Sequence, residues 1–253
     1  MNDYIEIQDH YDRGTSHASP GSLVGAGVLS GVMTRVYLWM AAALAITAGT
    51  AFLTISSPTL LQMIYGKPLV IWIFFAAELL LVISLSTAIN RMSPTVATSI
   101  FLAYAAVNGF TLSSIFFVYS IGTITQAFAA SALTFGAMSI FGATTKKDLS
   151  GLGGILIMAL IGLIVASVVN IFWANSTMDA IITYAGVFIF VGLTAYDTQK
   201  IKAMTSAVED SVVNGYGDAS MPRKIAIIGA LTLYLDFINL FIYILRLLGR
   251  NRD

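Results

Sequence analysis

Seven long apolar stretches, divided by short polar breaks, occupy the chain from residue 36 to residue 248. A helix needs about 20 mainly apolar residues to cross a hydrocarbon core of about 30 Å. The first stretch runs from Val36 to Thr54, after Arg35. The second runs from Leu69 to Ile89, after Lys67 and Pro68, and ends at Asn90-Arg91. Between Arg91 and Lys146 lie 54 residues without a formal charge. That is too long for one helix and right for a hairpin of two, turning at Tyr119-Ser120-Ile121-Gly122. Lys146-Lys147-Asp148 breaks the pattern, and a fifth span follows from Gly151 to Trp173. Asn175-Ser176-Thr177 can cap a sixth, expected to reach Asp197 or slightly beyond. A polar segment of about 25 residues comes next, and Pro222-Arg223-Lys224 introduces the seventh span, Ile225 to Leu248. The pattern predicts an all-α polytopic membrane protein of seven helices.

Composition agrees. Hydrophobic residues make up 57% of the 253 and charged ones 10%, whereas a soluble domain is about a quarter charged. Thirteen basic and thirteen acidic residues balance, so nothing favours nucleic acid as a partner. There is no cysteine, and both histidines, His10 and His17, lie in the N-terminal tail. Disulfides, thiolate sites and imidazole relays within the spans are thereby excluded, and no resident cofactor is expected.

Three regions follow: a polar tail at 1–30, a membrane domain at 31–249 and a basic tip at 250–253. The tail lacks the basic start and early apolar run of a cleavable signal. It reads as a disordered cytoplasmic leader or as a docking segment for a cytosolic partner. With the N-terminus inside, nine basic residues from Arg13 to Lys224 fall on the inner side, and four (Lys67, Arg246, Arg250, Arg252) on the outer. The positive-inside rule therefore favours a cytoplasmic N-terminus.

An ionised side chain at the bilayer centre costs about 2.5–3.5 kcal/mol even on a lenient scale. Glu78, Asp197 and Asp236 all fall within spans, so each needs a partner, a proton or a wet cavity. Thr232, Asp236, Asn239 and Tyr243 lie at i−4, i, i+3 and i+7, one polar stripe on an apolar helix. Such a stripe must face protein or water, which makes the last helix central. Asp197 is expected near the cytoplasmic end of its helix, level with Arg91, and an Arg91–Asp197 ion pair could close that mouth. Glu78 lies 13 residues before Arg91, about 20 Å along the axis and near mid-membrane.

The segments Gly192-Leu-Thr-Ala-Tyr-Asp-Thr-Gln-Lys-Ile201 and Ala230-Leu-Thr-Leu-Tyr-Leu-Asp-Phe-Ile-Asn-Leu-Phe241 resemble the two signatures of the Bax inhibitor-1 (transmembrane BAX-inhibitor-motif) family. The likeness covers residues 30–248, and the polar tail and the 203–221 loop look like its bacterial branch. The resemblance implies a last helix wrapped by six others and a proton-sharing, pH-sensing pair that maps onto Asp197 and Asp236. It also implies an arginine latch at Arg91, an acidic residue at Glu78, and a pH-sensitive calcium leak across a bacterial inner membrane. Two carboxylates in contact at low dielectric cannot both ionise cheaply, so such a pair titrates in coupled steps. Calcium prefers several oxygen ligands, and Glu78, Asp236, Asn239 and Asp197 could supply a transient set.

Three rivals compete with this reading. A non-conducting regulator would bind a membrane protease or translocation machinery through the tail, as bacterial members of the resembled family are associated with doing. An intramembrane aspartyl protease would use Tyr196-Asp197 and Gly215-Tyr-Gly-Asp218, but Asp218 falls in a polar loop and no Pro-Ala-Leu element occurs, so no enzyme is expected. A proton-coupled transporter would need an internal repeat, for which the similarity between the last two spans is too short.

Overall fold

The computed structural model describes residues 20–213 and 220–250, with the side chains of 20–30, 68, 90 and 209–213 left aside. Among these residues the chain is helical and contains no strand. The helices are α1 (Pro20–Ser56), α2 (Pro58–Tyr65), α3 (Pro68–Ala88), α4 (Pro94–Leu112), α5 (Ile115–Val118), α6 (Ile121–Thr144), α7 (Ser150–Trp173), α8 (Ser176–Val213) and α9 (Met221–Arg250). A 3₁₀ turn, Ile89–Arg91, follows α3. Seven are long and apolar enough to cross a membrane, α1, α3, α6, α7, α8 and α9 alone and α4 together with α5.

Short polar side chains set the boundaries. Ser57, Ser93 and Ser120 accept bonds from the backbone N–H three residues on, at 3.4, 3.3 and 3.2 Å. Pro58 and Pro94 occupy the first helical positions, where a missing N–H costs nothing. Asn175 Oδ1 caps α8 by accepting from the N–H groups of Thr177 and Met178 at 2.9 and 3.0 Å.

The last helix is the hub. In its most apolar stretch 72% of residues are buried, against 6% in α3 and in α7. It packs on α8, α1, α6 and α4, whereas α7 leans on α8 and α3 on α4. Leu233, Tyr234 and Leu240 are fully buried. The rings of Phe101 and Tyr104 on α4 meet Tyr234 edge-on, and those of Phe128 and Phe135 on α6 meet Phe237 likewise. Edge-to-face pairs add about 0.5–1.5 kcal/mol beyond the area they bury. Where α6 crosses α8, Gly142 lies against the Ala195 backbone, with no room for a Cβ.

Two expected boundaries need correction. The first helix starts at Pro20, not near residue 36, so residues 20–30 are backbone-helical rather than leader. A proline opens this segment and small apolar residues continue it, which suits a helix start. The expected leader or docking segment at residues 1–19, the Gly215–Asp218 segment and the basic tip at 251–253 lie outside the described residues. The sixth helix, expected to end near Asp197, continues to Val213. Ile201 and Thr205 are buried along this extension, and Met204 and Val208 pack on the core. Their 3- and 4-residue spacing makes one apolar face, which protein contact supports beyond the reach of lipid.

The candidate site between α7, α8 and α9

A cavity of about 380 Å³ opens between these helices. Thr232, Asp236, Asn239 and Tyr243 line it from α9, so the polar stripe expected from spacing faces one space. Asp197 and Lys200 line it from α8, and Ile157, Leu160 and Ile164 form an apolar wall on α7. Asp236 is 4% exposed, and its carboxyl faces that of Asp197 within hydrogen-bonding reach.

The register that brings the two aspartates together follows from the N-terminal end of α8 and the C-terminal end of α9, which meet. Arg250 Nη1 lies 3.9 Å from Asp179 Oδ2, and Nη2 donates to Ser176 O at 3.0 Å. From Asp179 to Asp197 is about 27 Å of helix, and from Arg250 to Asp236 about 21 Å, at about 1.5 Å per residue. The reach of the arginine side chain makes up the rest. Asp197 therefore sits further from the end of its helix than its distance from Lys200 suggested, because α8 continues past it to Val213.

The chemistry of the pair is constrained. As carboxylates both groups can only accept, and Asp236 Oδ2 is a buried oxygen to which no described group donates. A proton held between the two carboxyls is a donor the pair can supply itself. Lys200, exposed at the rim, faces Asp197 as its nearest cationic influence and lies 5.8 Å above the Tyr196 ring. It was missed by reasoning from buried acids alone, although its i+3 spacing from Asp197 carried the signal. Asn239 Nδ2 returns to Leu235 O at 2.8 Å, leaving its carbonyl oxygen for the cavity. Tyr243 stacks on Phe190, lies against Gly186 and sits 5.7 Å from the Arg246 guanidinium, forming the outer floor.

Glu78 is not brought to this cavity. On α3 it accepts a hydrogen bond from the Thr111 hydroxyl of α4. A second polar cluster lies on the other side of α9 from the cavity. There Tyr234 Oη contacts Thr47 Oγ1 at 2.7 Å and donates to Asn108 Oδ1 at 3.2 Å. Among the described residues no three acidic or imidazole side chains converge on a metal-binding point. Nor does an ion pair join Arg91 to Asp197. Arg91 is exposed in the turn after α3, while 16 residues of α8 separate Asp197 from the C-terminal end of that helix, about 24 Å. The expected contact assumed equal depth, and the length of α8 removes that condition.

Seven apolar helices, a buried last helix and a pair of carboxyls in its cavity define an integral membrane protein built around an acidic intramembrane site. The chain belongs to the Bax inhibitor-1 family: residues 29–253 match the family described as Inhibitor of apoptosis-promoting Bax1. It is 45% identical over 220 residues to the inner membrane protein YbhL of Escherichia coli K12, covering 87% of this chain and 92% of YbhL. Proteins of Deinococcus radiodurans and Borreliella burgdorferi are 42% and 40% identical over 221 residues. Each match spans 87% of this chain, and 90% and 92% of those relatives respectively.

Proposed function

We propose that the protein is a pH-sensitive calcium leak of the bacterial inner membrane, with a cytoplasmic N-terminus and the Asp197–Asp236 pair as its proton-operated element. The observation that carries this reading is the buried Asp236 oxygen, without a donor among the described residues, beside Asp197 in a cavity that also takes polar side chains from α8 and α9. An apolar core does not retain an uncompensated acid without cause, since an unpaired buried charge is costly.

With one proton shared, the carboxyls attract and draw α8 to α9. Loss of that proton leaves two negative charges in contact at low dielectric, which pushes the helices apart and admits water. The same two carboxylates, Asn239 Oδ1 and the Thr232 hydroxyl then offer oxygen atoms to a hard cation. This set is smaller than a resident calcium site requires, which suits passage rather than storage. Glu78, bonded to Thr111 instead, takes no part in that ligand set. The chain is read as a non-enzyme, and a peptide-cleavage assay with Asp197→Asn as control separates it from an aspartyl protease.

Calcium entry into dye-loaded proteoliposomes between pH 5 and 8 tests the reading. Flux should rise with pH, because protons compete with the cation for the carboxylates. Asp197→Asn and Asp236→Asn should each flatten the profile. A profile unchanged in both variants removes the pair from gating.

A further inference from the structure

A second cleft, of about 460 Å³, opens at the inner end of the bundle, between α1, α4 and α9. Arg35 from α1 and Arg223 from α9 line it, together with Trp39, Thr95, Thr98 and Ser99. No carboxylate lines it, and neither arginine forms an ion pair among the described residues. Two guanidinium groups from separate helices, with no acidic partner among the described residues and with three hydroxyl side chains in the same lining, suit a tetrahedral oxyanion. The planar fork of arginine matches phosphate oxygens in pairs. The first turn of α4 adds its positive end to the same space.

The surroundings select the source of that phosphate. Leu38 and Val96, neighbours in sequence of Trp39 and Thr95, are 64% and 48% exposed, apolar surface beside the cleft along which acyl chains can lie. Trp39 stands one helical turn from Arg35, where indole rings favour the headgroup level. We propose that this cleft binds the phosphate headgroup of an anionic phospholipid, with the acyl chains lying along the α1 and α4 surfaces. Because Arg223 stands at the start of the central helix, an occupied cleft ties α9 to α1 and α4 at the end where that helix enters the bundle. The proposal does not depend on what crosses the α7–α8–α9 cavity.

Native mass spectrometry of the full chain, released from phosphatidylcholine nanodiscs doped with phosphatidylglycerol, tests it. The double variant Arg35→Gln/Arg223→Gln should bind phosphatidylglycerol about tenfold to thirtyfold more weakly, as expected for two basic groups at the headgroup level. Arg35→Lys/Arg223→Lys keeps the charge but not the paired fork and should bind between wild type and the glutamine variant. An unfolding midpoint unchanged in both variants separates loss of the site from loss of fold. Lys146→Gln/Lys147→Gln removes equal charge at the same end of the bundle and should bind like wild type. Undiminished phosphatidylglycerol binding by the glutamine variant overturns the proposal. So does inorganic phosphate that fills the cleft and displaces the lipid, since the ligand would then be a soluble anion.

Discussion

Ala174 closes α7 with φ 46° and ψ 43°, and its N–H donates to Asn170 O at 2.8 Å. An L-residue with a Cβ crowds its own carbonyl in this left-handed conformation, at a cost of about 1–2 kcal/mol, which glycine avoids. Ala174→Gly is therefore expected to stabilise the protein by about 1 kcal/mol, read as a raised unfolding midpoint in detergent, with calcium flux unchanged. Asp148, in the loop before α7, makes a different point at the same scale. Bonds from the Ser150 hydroxyl and then the Ser150 N–H hold its carboxyl below the ordinary aspartate range. Any stability it contributes is present above the unfolded pKa and is lost as pH falls through the lower folded value. Asp148 stays ionised from pH 5 to 8, so a flux transition in that window cannot be its titration.

Among the elements, the legible ones were those whose ends carry local chemistry. Ser93-Pro94, Ser120 and Asn175 act through atoms within three residues, and α4, α6 and α8 begin where these caps stand. The short α2 escaped because eight residues are too few to register as a span, although Ser57-Pro58 marks its start. The overshoot of α8 has another cause. Hydropathy measures transfer to lipid, while residues 201–208 are held by protein. Lys202 Nζ caps the end of α6 at Ala143 O, 2.7 Å away. Gln199 clamps the α6–α7 loop through Leu149 N and Lys147 O, both at 2.8 Å. The tight α6–α8 crossing carries the element-scale prediction. A valine at Gly142 would drive its side chain into the Ala195 backbone, which cannot rotate aside. Overpacking of this kind costs about 1–3 kcal/mol. Gly142→Val should lower the unfolding midpoint accordingly, and because Ala195 is two residues from Asp197, it should also change the pH profile of flux. A midpoint equal to wild type would show that the crossing relaxes without strain.

Across the molecule, the spacing rule that marked Thr232, Asp236, Asn239 and Tyr243 found the site because every member lies on one helix. The partner helix and depth of Asp197 depend on how α8 and α9 slide past each other, which no local pattern encodes. The same rule extends further than was read: Arg246 and Arg250 continue the stripe at i+3 and i+7 from Tyr243. The polar face of α9 thus runs from the aspartate pair, past the Tyr243 ring, to two cations at the C-terminal end of the helix. There Arg250 contacts Asp179 and the Ser176 carbonyl, holding that end of α9 to the start of α8. Both partners are about half exposed, 42% and 50%, and ion pairs in such surroundings contribute about 0–1 kcal/mol. If the protein conducts, Asp179→Asn should raise flux by no more than about fivefold, because every 1.4 kcal/mol is tenfold in an equilibrium. The increase should shrink in high salt, which screens exposed charges, and the exchange Asp179→Arg/Arg250→Asp should reverse it. It should leave the pH midpoint in place, because the Asp197–Asp236 pair lies about 20 Å further along α9. A shifted midpoint in Asp179→Asn would mean instead that the outer ion pair and the buried carboxyls respond to acid as one unit.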